Sequence, residues 1–298
     1  MSPGAPLTIA VALACHNRRE TTLRCLASLF AQQTSDLRLS VHLLDDASTD
    51  GTADAVRERF PDVEIIEGNG QLYWGGGMHA AMQAAVRHPF DALLLLNDDV
   101  ALAPDSLTTL LDAWTVADAG SRVPNIIVGA TTDPATDAIS YSGFLRTSSL
   151  NPFKLRRVAP SPGRLVPCDT MNGNCVLLPA EIVRRIGIID PVFVHQLGDL
   201  DYGYRAVRAG ARLWIAPTPI GACAANDRPR RWGKPGLGFV ERWRLLDSPL
   251  GLPLRPWLAF GWRHAGPLGL AIVAATYGKV LLRDFLGVPV GNGQKSSA

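Results

Sequence analysis

Phe90-Asp91-Ala92-Leu93-Leu94-Leu95-Leu96-Asn97-Asp98-Asp99-Val100 decides the fold. Four consecutive leucines cannot alternate between a wet and a dry face. The run therefore predicts a strand buried on both sides, as at the centre of a parallel sheet covered by helices. It stops at Asn97-Asp98-Asp99, which puts polar groups where the strand leaves the sheet. In open α/β folds, ligands bind in the crevice outside the carboxyl ends of the strands. Two adjacent carboxylates repel each other and lose solvation there unless a cation joins them. A divalent ion holding a diphosphate supplies that cation, because hard oxygen ligands suit Mg²⁺ or Mn²⁺. Asn and Asp also favour plain turns, so on its own the stretch leaves an ordinary solvated loop open.

Upstream, residues 7–14 form a second buried-type strand that breaks at Cys15-His16-Asn17-Arg18-Arg19, and the spacing of Leu23, Leu26, Ala27 and Phe30 predicts a helix over 20–32. A strand over 39–44 ends at Asp45-Asp46-Ala47-Ser48-Thr49-Asp50-Gly51-Thr52, where Ser48 or Asp50 can cap a helix over 53–60. A short strand over 63–67 completes a β-α-β-α-β pattern, which calls for a parallel sheet with right-handed crossovers. Gly68-Asn69-Gly70-Gln71-Leu72-Tyr73-Trp74-Gly75-Gly76-Gly77 then leads into a helix expected over 78–87. Glycines ahead of a helix let backbone N–H groups approach a phosphate, although this spacing matches no Walker or dinucleotide fingerprint.

Downstream, a helix is expected from 104 or 105 to 117, followed by a looser region over 119–167 read as edge strands and loops framing a pocket. Residues 172–179 read as a strand, 180–186 as a helix and 212–216 as a further strand. Gly198-Asp199-Leu200-Asp201 reads as the start of another helix with Asp199 at or beside its N-cap, a position acids occupy for capping alone as well.

The 298 residues suffice for one large or two smaller α/β units, and 47% hydrophobic with 19% charged residues describes a folded chain. Five widely spaced cysteines, with no Cys-x-x-Cys pair, argue against a disulfide framework or structural zinc and fit a reducing cytoplasm. No basic stretch followed by an apolar secretory segment opens the chain. The composition changes after about residue 220. Residues 221–298 carry eleven Lys or Arg against four acids, with Trp232, Trp243, Trp257 and Trp262 interleaved. We therefore divide the chain into a catalytic domain over 1–220 and a basic helical extension over 221–298. The apolar run 268–277 is too short to span a bilayer, which needs about 20 residues. Basic groups among tryptophans suit a helix lying in a membrane interface, and equally a helical layer packed on the domain with a solvated basic face. Nucleic acid is excluded as a partner, since no recognition motif accompanies the charge. The first strand does not end in a glycine-rich turn, which argues against a dinucleotide oxidoreductase.

Four motifs in order, Ala14-Cys15-His16-Asn17-Arg18, Leu44 to Thr52, Leu96-Asn97-Asp98-Asp99-Val100 and Gly198-Asp199-Leu200-Asp201, resemble those of the inverting glycosyltransferases of family 2. The resemblance covers roughly residues 7–220. The stretches 72–78 and 195–199 look most like the branch that contains many bacterial rhamnosyltransferases. It implies a GT-A fold: a mostly parallel central sheet flanked by helices, related to Rossmann topology, here with the helical C-terminal extension. Carried over residue by residue, it implies that backbone at Ala14 and the carboxylate of Asp46 hold a pyrimidine base, with Asp45 beside them. Asp98 contacts the ribose, Asp99 binds the metal, and Asp199 is the general base. Asn17, Arg18, Gly75, Gly76 and Asn97 complete the expected nucleotide-sugar site, and Trp74, His195 and Gln196 are the expected acceptor-side residues. Asn97 stands where many relatives carry the first acid of an Asp-x-Asp motif. Gly198 replaces an acid common before the base, His79 replaces Asn, and Pro219-Ile220-Gly221-Ala222-Cys223 takes the place of a histidine.

The implied activity is transfer of a sugar, with rhamnose a candidate, from a pyrimidine-nucleotide diphosphosugar to a saccharide or lipid-linked acceptor in cell-surface polysaccharide assembly. The implied location is cytoplasmic, or peripheral on the inner face of the membrane; monomer and oligomer both stay open. A nucleotidyltransferase on a related fold, which would release pyrophosphate, is the rival enzyme reading. A non-catalytic carbohydrate-binding or scaffold protein is the rival outside enzymes.

Overall fold

A computed structural model describes residues 6–32, 37–226, 231–234 and 236–285. The chain runs β1 (Leu7–Cys15), α1 (Arg19–Phe30), β2 (Leu37–Asp45), α2 (Thr52–Arg59), β3 (Glu64–Glu67), α3 (Tyr73–Ala85) and β4 (Ala92–Leu96). It continues through β5 (Ala101–Leu102), α4 (Ser106–Asp118), β6 (Asn125–Thr132), β7 (Ile139–Tyr141), β8 (Gly143–Arg146), β9 (Leu155–Arg157), β10 (Val166–Cys168) and β11 (Thr170–Met171). Then follow β12 (Cys175–Pro179), α5 (Ala180–Ile186), α6 (Gly198–Arg208), β13 (Arg212–Ala222), α7 (Phe239–Leu246) and α8 (Leu254–Phe285). By contacts the chain forms two units, Met1–Thr147 with Leu155–Ala225, and Ser148–Lys154 with Asn226–Ala298.

In the first unit the main sheet has the order β10-β13-β6-β12-β4-β1-β2-β3. β1 pairs in parallel with both β2 and β4, β2 with β3, and β6 with β13. β12 is reversed in the middle of the sheet, antiparallel to β4 and to β6, and β10 is reversed at its edge beside β13. Six strands therefore point one way, and the mostly parallel, helix-flanked sheet is as expected. Leu93 to Leu96 are fully buried, and each contributes roughly 1.5–3 kcal/mol relative to an exposed leucine. Alternate residues of β1 and β4 feed different cores. Leu94 and Leu96 join Ile9, Val11 and α1, while Leu93 and Leu95 join Ala10, Ala12 and α3. The region read as edge strands and loops over 119–167 supplies β6 to β10; β6 lies inside the main sheet rather than at its edge, and β8 and β9 join β11 in a small antiparallel sheet.

The glycine run departs from expectation. α3 begins at Tyr73 rather than near residue 78, so Gly75, Gly76 and Gly77 lie inside its first turns. The Gly75 and Gly76 N–H groups both donate to the Val194 carbonyl, at 2.8 and 3.1 Å. They are thus occupied by protein and are not the phosphate-facing amides anticipated. Close packing explains the glycines: a Cβ on Gly75 would lie 1.9 Å from the Phe193 carbonyl oxygen, and one on Gly77 2.7 Å from the Ala14 Cβ.

The second unit has its own small core, in which Trp232, Leu246, Val273, Tyr277 and Val280 are buried against Phe153, Trp243 and Trp257. Phe153 stacks on Trp257 with ring centroids 4.7 Å apart. α8 is broken at Gly266 (φ 57°, ψ −139°), immediately before Pro267. Its two halves cross where Gly261 and Gly269 meet, since a Cβ on Gly269 would lie 1.9 Å from the Gly261 carbonyl oxygen. Among the described residues no helix is long and apolar enough to cross a membrane.

These contacts make the two helical glycines separable by mutation. Gly75→Ala should cost about 1–3 kcal/mol through overpacking, read as a fall of several degrees in Tm. Gly76→Ala, whose Cβ would meet only the Leu72 side chain at 3.4 Å, should be neutral or slightly stabilising. Equal effects of the two substitutions would contradict the packing.

Candidate active site

Because β1, β2 and β4 are parallel, their carboxyl ends deliver residues 15–18, 45–48 and 97–99 to one edge of the sheet. The reversed β12 adds its amino end there, so that Asn97 N–H donates to the Asn174 carbonyl at 2.9 Å. Four of the five non-glycine residues with positive φ among the described residues surround this edge: Asn17, Ala47, Tyr73 and Leu197. Backbone strain of that kind concentrates where a site has to be held in one shape.

Asp46 is buried, and its carboxylate organises the loop ahead of α3. One oxygen accepts the Gly70 N–H at 2.7 Å and the other accepts Leu72 and Tyr73 N–H at 2.9 and 3.1 Å. Three of its roughly four lone-pair directions are thereby used, leaving one for a ligand. Its own carbonyl accepts from His16 Nδ1 at 2.6 Å. Asp45, also buried, accepts the Ser48 N–H at 3.0 Å. Asn17 ties the end of β1 to the same loop: its N–H donates to Ser48 Oγ, and its Oδ1 accepts the Thr49 N–H at 2.7 Å. Ala14, half-buried near the end of β1, has its methyl group against Gly77.

The carboxylate pair is bridged by arginine. Arg18 Nη1 lies 2.8 Å from Asp98 Oδ1 and Nη2 lies 3.0 Å from Asp99 Oδ2. Thr22 Oγ1 donates to the other Asp98 oxygen at 3.3 Å. Asp98 is 4% exposed, and burial pushes its carboxyl up to about 6 despite the nearby guanidinium. Burial opposes the Arg18 charge, but Asp98 and Asp99 outweigh it and hold the guanidinium protonated above its ordinary range. The Cys223 thiol donates to Asp99 Oδ1 at 3.3 Å; burial, followed by the Asp99 charge, keeps it protonated.

A hydrogen-bonded chain leads from this pair to Asp199. Asn174 Nδ2 donates to Cys223 Sγ at 3.3 Å, and Asn97 Nδ2 donates to Asn174 Oδ1 at 3.0 Å. Asn97 Oδ1 accepts the Trp74 indole N–H at 2.6 Å. Asn174 N–H donates to Asn172 Oδ1, and Asn172 and Gly173 donate to Asp199 Oδ2 at 3.4 and 3.1 Å. Asp199 lies in the first turn of α6, where Oδ1 also accepts the Leu200 N–H at 2.8 Å. Burial raises its carboxyl above the ordinary aspartate range, more than its backbone hydrogen bonds lower it. The Trp74 ring lies against Gly173, where a Cβ would be 2.5 Å from it and 3.3 Å from the Asp199 Cβ. The His195 ring tilts against Tyr73 at 5.9 Å, and Gln196 sits half-buried just before α6.

Asp46, Asp99 and Asp199 are thus joined through one set of contacts. Thr22, Asn172, Gly173, Asn174 and Cys223 belong to the same set; none was assigned a role from the sequence, where Cys223 was noted only as the end of the stretch that takes the place of a histidine. Asn172-Gly173-Asn174 directly ahead of an apolar strand was the available signal. A cavity of about 420 Å³ lined by Asp91, Trp114, Asp118 and Arg184 lies at the opposite, amino end of the parallel strands and contains none of these residues. Its acids have structural partners: Asp91 accepts the Thr8 N–H and Asp118 accepts from Asn125.

The family model described as "Glycosyl transferase family 2" matches residues 10–173, which include the ends of β1, β2 and β4. Two curated proteins, the N-acetylglucosaminyl-diphospho-decaprenol L-rhamnosyltransferases of Mycobacterium tuberculosis strains CDC 1551 and H37Rv, are 27% identical over 219 residues, 65% of this chain and 67% of theirs. Among solved structures, GalNAc-T7 with UDP, GalNAc and Mn²⁺ superposes with a TM-score of 0.56 at 15% identity, covering 75% of this chain and 45% of that one. The mannosyltransferase PcManGT from Pyrobaculum calidifontis, in complex with GDP-Man and Mn²⁺, gives 0.47 at 17% identity over 93% of this chain and 76% of that one. The GalNAc-T7 likeness bears on the fold alone. With more than half of its length matched, and with the matched residues building the strand ends that carry the acids, the chain belongs to glycosyl transferase family 2.

Proposed function

We propose that this glycosyltransferase moves a sugar, with inversion, from a pyrimidine-nucleotide diphosphosugar to a hydroxyl of a saccharide or lipid-linked acceptor during cell-surface polysaccharide assembly. The observation that carries the reading is the hydrogen-bonded connection between the Asp98–Asp99 pair and Asp199, with Asp46 shaping the adjoining loop. Rhamnose is the proposed sugar, supported by the printed activity of the two mycobacterial relatives. Decaprenol in the same name supports a lipid-linked acceptor.

The chain's residues divide the work as follows. Asp46, Asp45, Ala14 and Asn17 flank the proposed base pocket, and Asp98 the ribose. Asp199 takes the proton of the acceptor hydroxyl as that oxygen attacks the anomeric carbon in line with the leaving diphosphate. Here the attacking oxygen belongs to the acceptor, unlike the water of glycoside hydrolysis. Trp74, His195 and Gln196 are the proposed acceptor-side surface. Among the described residues no cluster of three or more His, Cys, Asp or Glu is arranged to hold a metal. Asp99 nevertheless fits Mg²⁺ or Mn²⁺ as a hard donor, since such ions are commonly held by one or two carboxylates together with substrate phosphates. When bound, the ion would offset the charge that develops on the leaving diphosphate.

Replacement of Asp199 by Asn should lower kcat by about 100-fold or more, the scale of general-base catalysis, while leaving affinity for UDP or dTDP unchanged in calorimetry. Comparable loss of nucleotide affinity would make Asp199 structural. The base must be ionised to act, and burial raises its pKa. In wild type, the acidic limb of kcat/KM should therefore fall at a pH above the ordinary aspartate value of 3.8. A limb at or below that value would contradict the assignment.

We further infer that the second unit rests on the inner membrane face. Trp262 and Leu268, which flank the break in α8, are 58% and 44% exposed, and Phe239 and Val240 are both 62% exposed, in a basic segment. The five buried, free thiols suit a cytoplasmic location. The protein should co-sediment with phosphatidylglycerol vesicles more than with phosphatidylcholine vesicles, and Trp262→Ser with Leu268→Ser should weaken that binding. Indifference to both lipid charge and these substitutions would contradict it.

A further inference from the structure

Arg18 does more here than line a donor pocket. Its guanidinium forks across the two carboxylates, at 2.8 Å to Asp98 and 3.0 Å to Asp99. Thr22 and Cys223 reach the two remaining oxygens. All four carboxylate oxygens of the pair therefore already have a donor. The cation that the sequence required between two adjacent acids is present, and it belongs to the protein.

The arrangement is asymmetric in a way that bears on movement. The Asp98 side chain is 5% exposed and the Asp99 side chain 27%, but that of Arg18 is 41% exposed. Arg18 stands at the N-cap of α1, where its carbonyl accepts the Thr22 N–H at 2.8 Å. Its backbone is thus fixed while its side chain lies at the open edge. A metal ion arriving alone would have to displace the guanidinium and would find two carboxylates in exchange. A metal arriving with a diphosphate offers the guanidinium new partners, because phosphate oxygens match its planar fork as well as carboxylates do. Arg18 would then keep its hydrogen bonds while its positive charge passes to the leaving group.

We propose that Arg18 is the resident counter-ion of the Asp98–Asp99 pair, excluding divalent metal until the donor diphosphate arrives and then transferring its contacts to that diphosphate. The proposal rests on the donor site described above, and makes Arg18 a positioning residue for the acidic pair and a direct ligand of the phosphates.

Mn²⁺ binding to the nucleotide-free protein tests it, followed by the paramagnetic resonance signal of free Mn²⁺ and by the Tm rise on adding MnCl₂ at constant ionic strength. A neighbouring charge shifts the proton affinity of a carboxylate by about tenfold or more, and on the same scale Arg18→Gln should bind Mn²⁺ about tenfold more tightly than wild type. Arg18→Lys, which keeps one charge but cannot fork, should fall between them and provides the comparison if the glutamine variant does not fold. Adding Asp99→Asn to Arg18→Gln should abolish the gain. With UDP or dTDP present, wild type should take up Mn²⁺ and the difference between the proteins should close or reverse. Equal Mn²⁺ affinities for nucleotide-free wild type and the Arg18 variants would overturn the proposal. Failure of wild type to bind UDP or dTDP at all would instead overturn the donor reading.

Discussion

A carboxylate at the end of a strand buried on both faces has to find its counter-charge inside the protein. Asp98 is in that position. β4 is sealed by helices on both sides, so the chain leaves the sheet with an acid that is 4% exposed. Even with a guanidinium 2.8 Å away its carboxyl is pushed up to about 6. The neighbours of β4 answer this demand. β1 and the start of α1 provide Arg18 and Thr22, and the end of β13 provides Cys223 beside Asp99. The sheet order thus determines both the core and the charge balance at its edge.

The reversal of β12 gives that edge a second side. Running against β4, it brings Asn172, Gly173 and Asn174 to the carboxyl ends of the parallel strands. Asn174 then holds Asn97, and Asn172 with Gly173 holds the carboxylate of Asp199. Asn97 accepts from Trp74 and donates to Asn174, so it serves as a joint between the start of α3 and the residues ahead of β12. An aspartate there could not donate to Asn174. The asparagine at this place in the acidic motif therefore has a structural reason.

The strands and the acidic loops were legible in the sequence because apolar runs and their abrupt polar ends are local signals. Leu93 to Leu96, residues 7–14 and the Asp45-Asp46 turn all announce themselves in this way. The glycine run was misread because its cause is distant: Gly75 is small to admit the Phe193 carbonyl, more than a hundred residues away. The direction of β12 was hidden for a similar reason, since an apolar pentapeptide looks the same in either orientation. Asn172, Asn174 and Cys223 were passed over because each becomes meaningful only once that direction is known. Phe153 likewise gives no local sign of packing on Trp257.

The central claim is that acids from distant parts of the chain share one cleft at the carboxyl ends of the parallel strands. Paramagnetic broadening of backbone amide signals by Mn²⁺ bound with UDP or dTDP measures this directly. The account predicts strong broadening confined to residues 15–18, 45–48, 72–74, 97–99, 172–174 and 199–200, with residues 118–124 and 180–184 at the opposite end unaffected. Broadening centred on Asp91, Asp118 and Arg184, or scattered over both ends of the sheet, would contradict it.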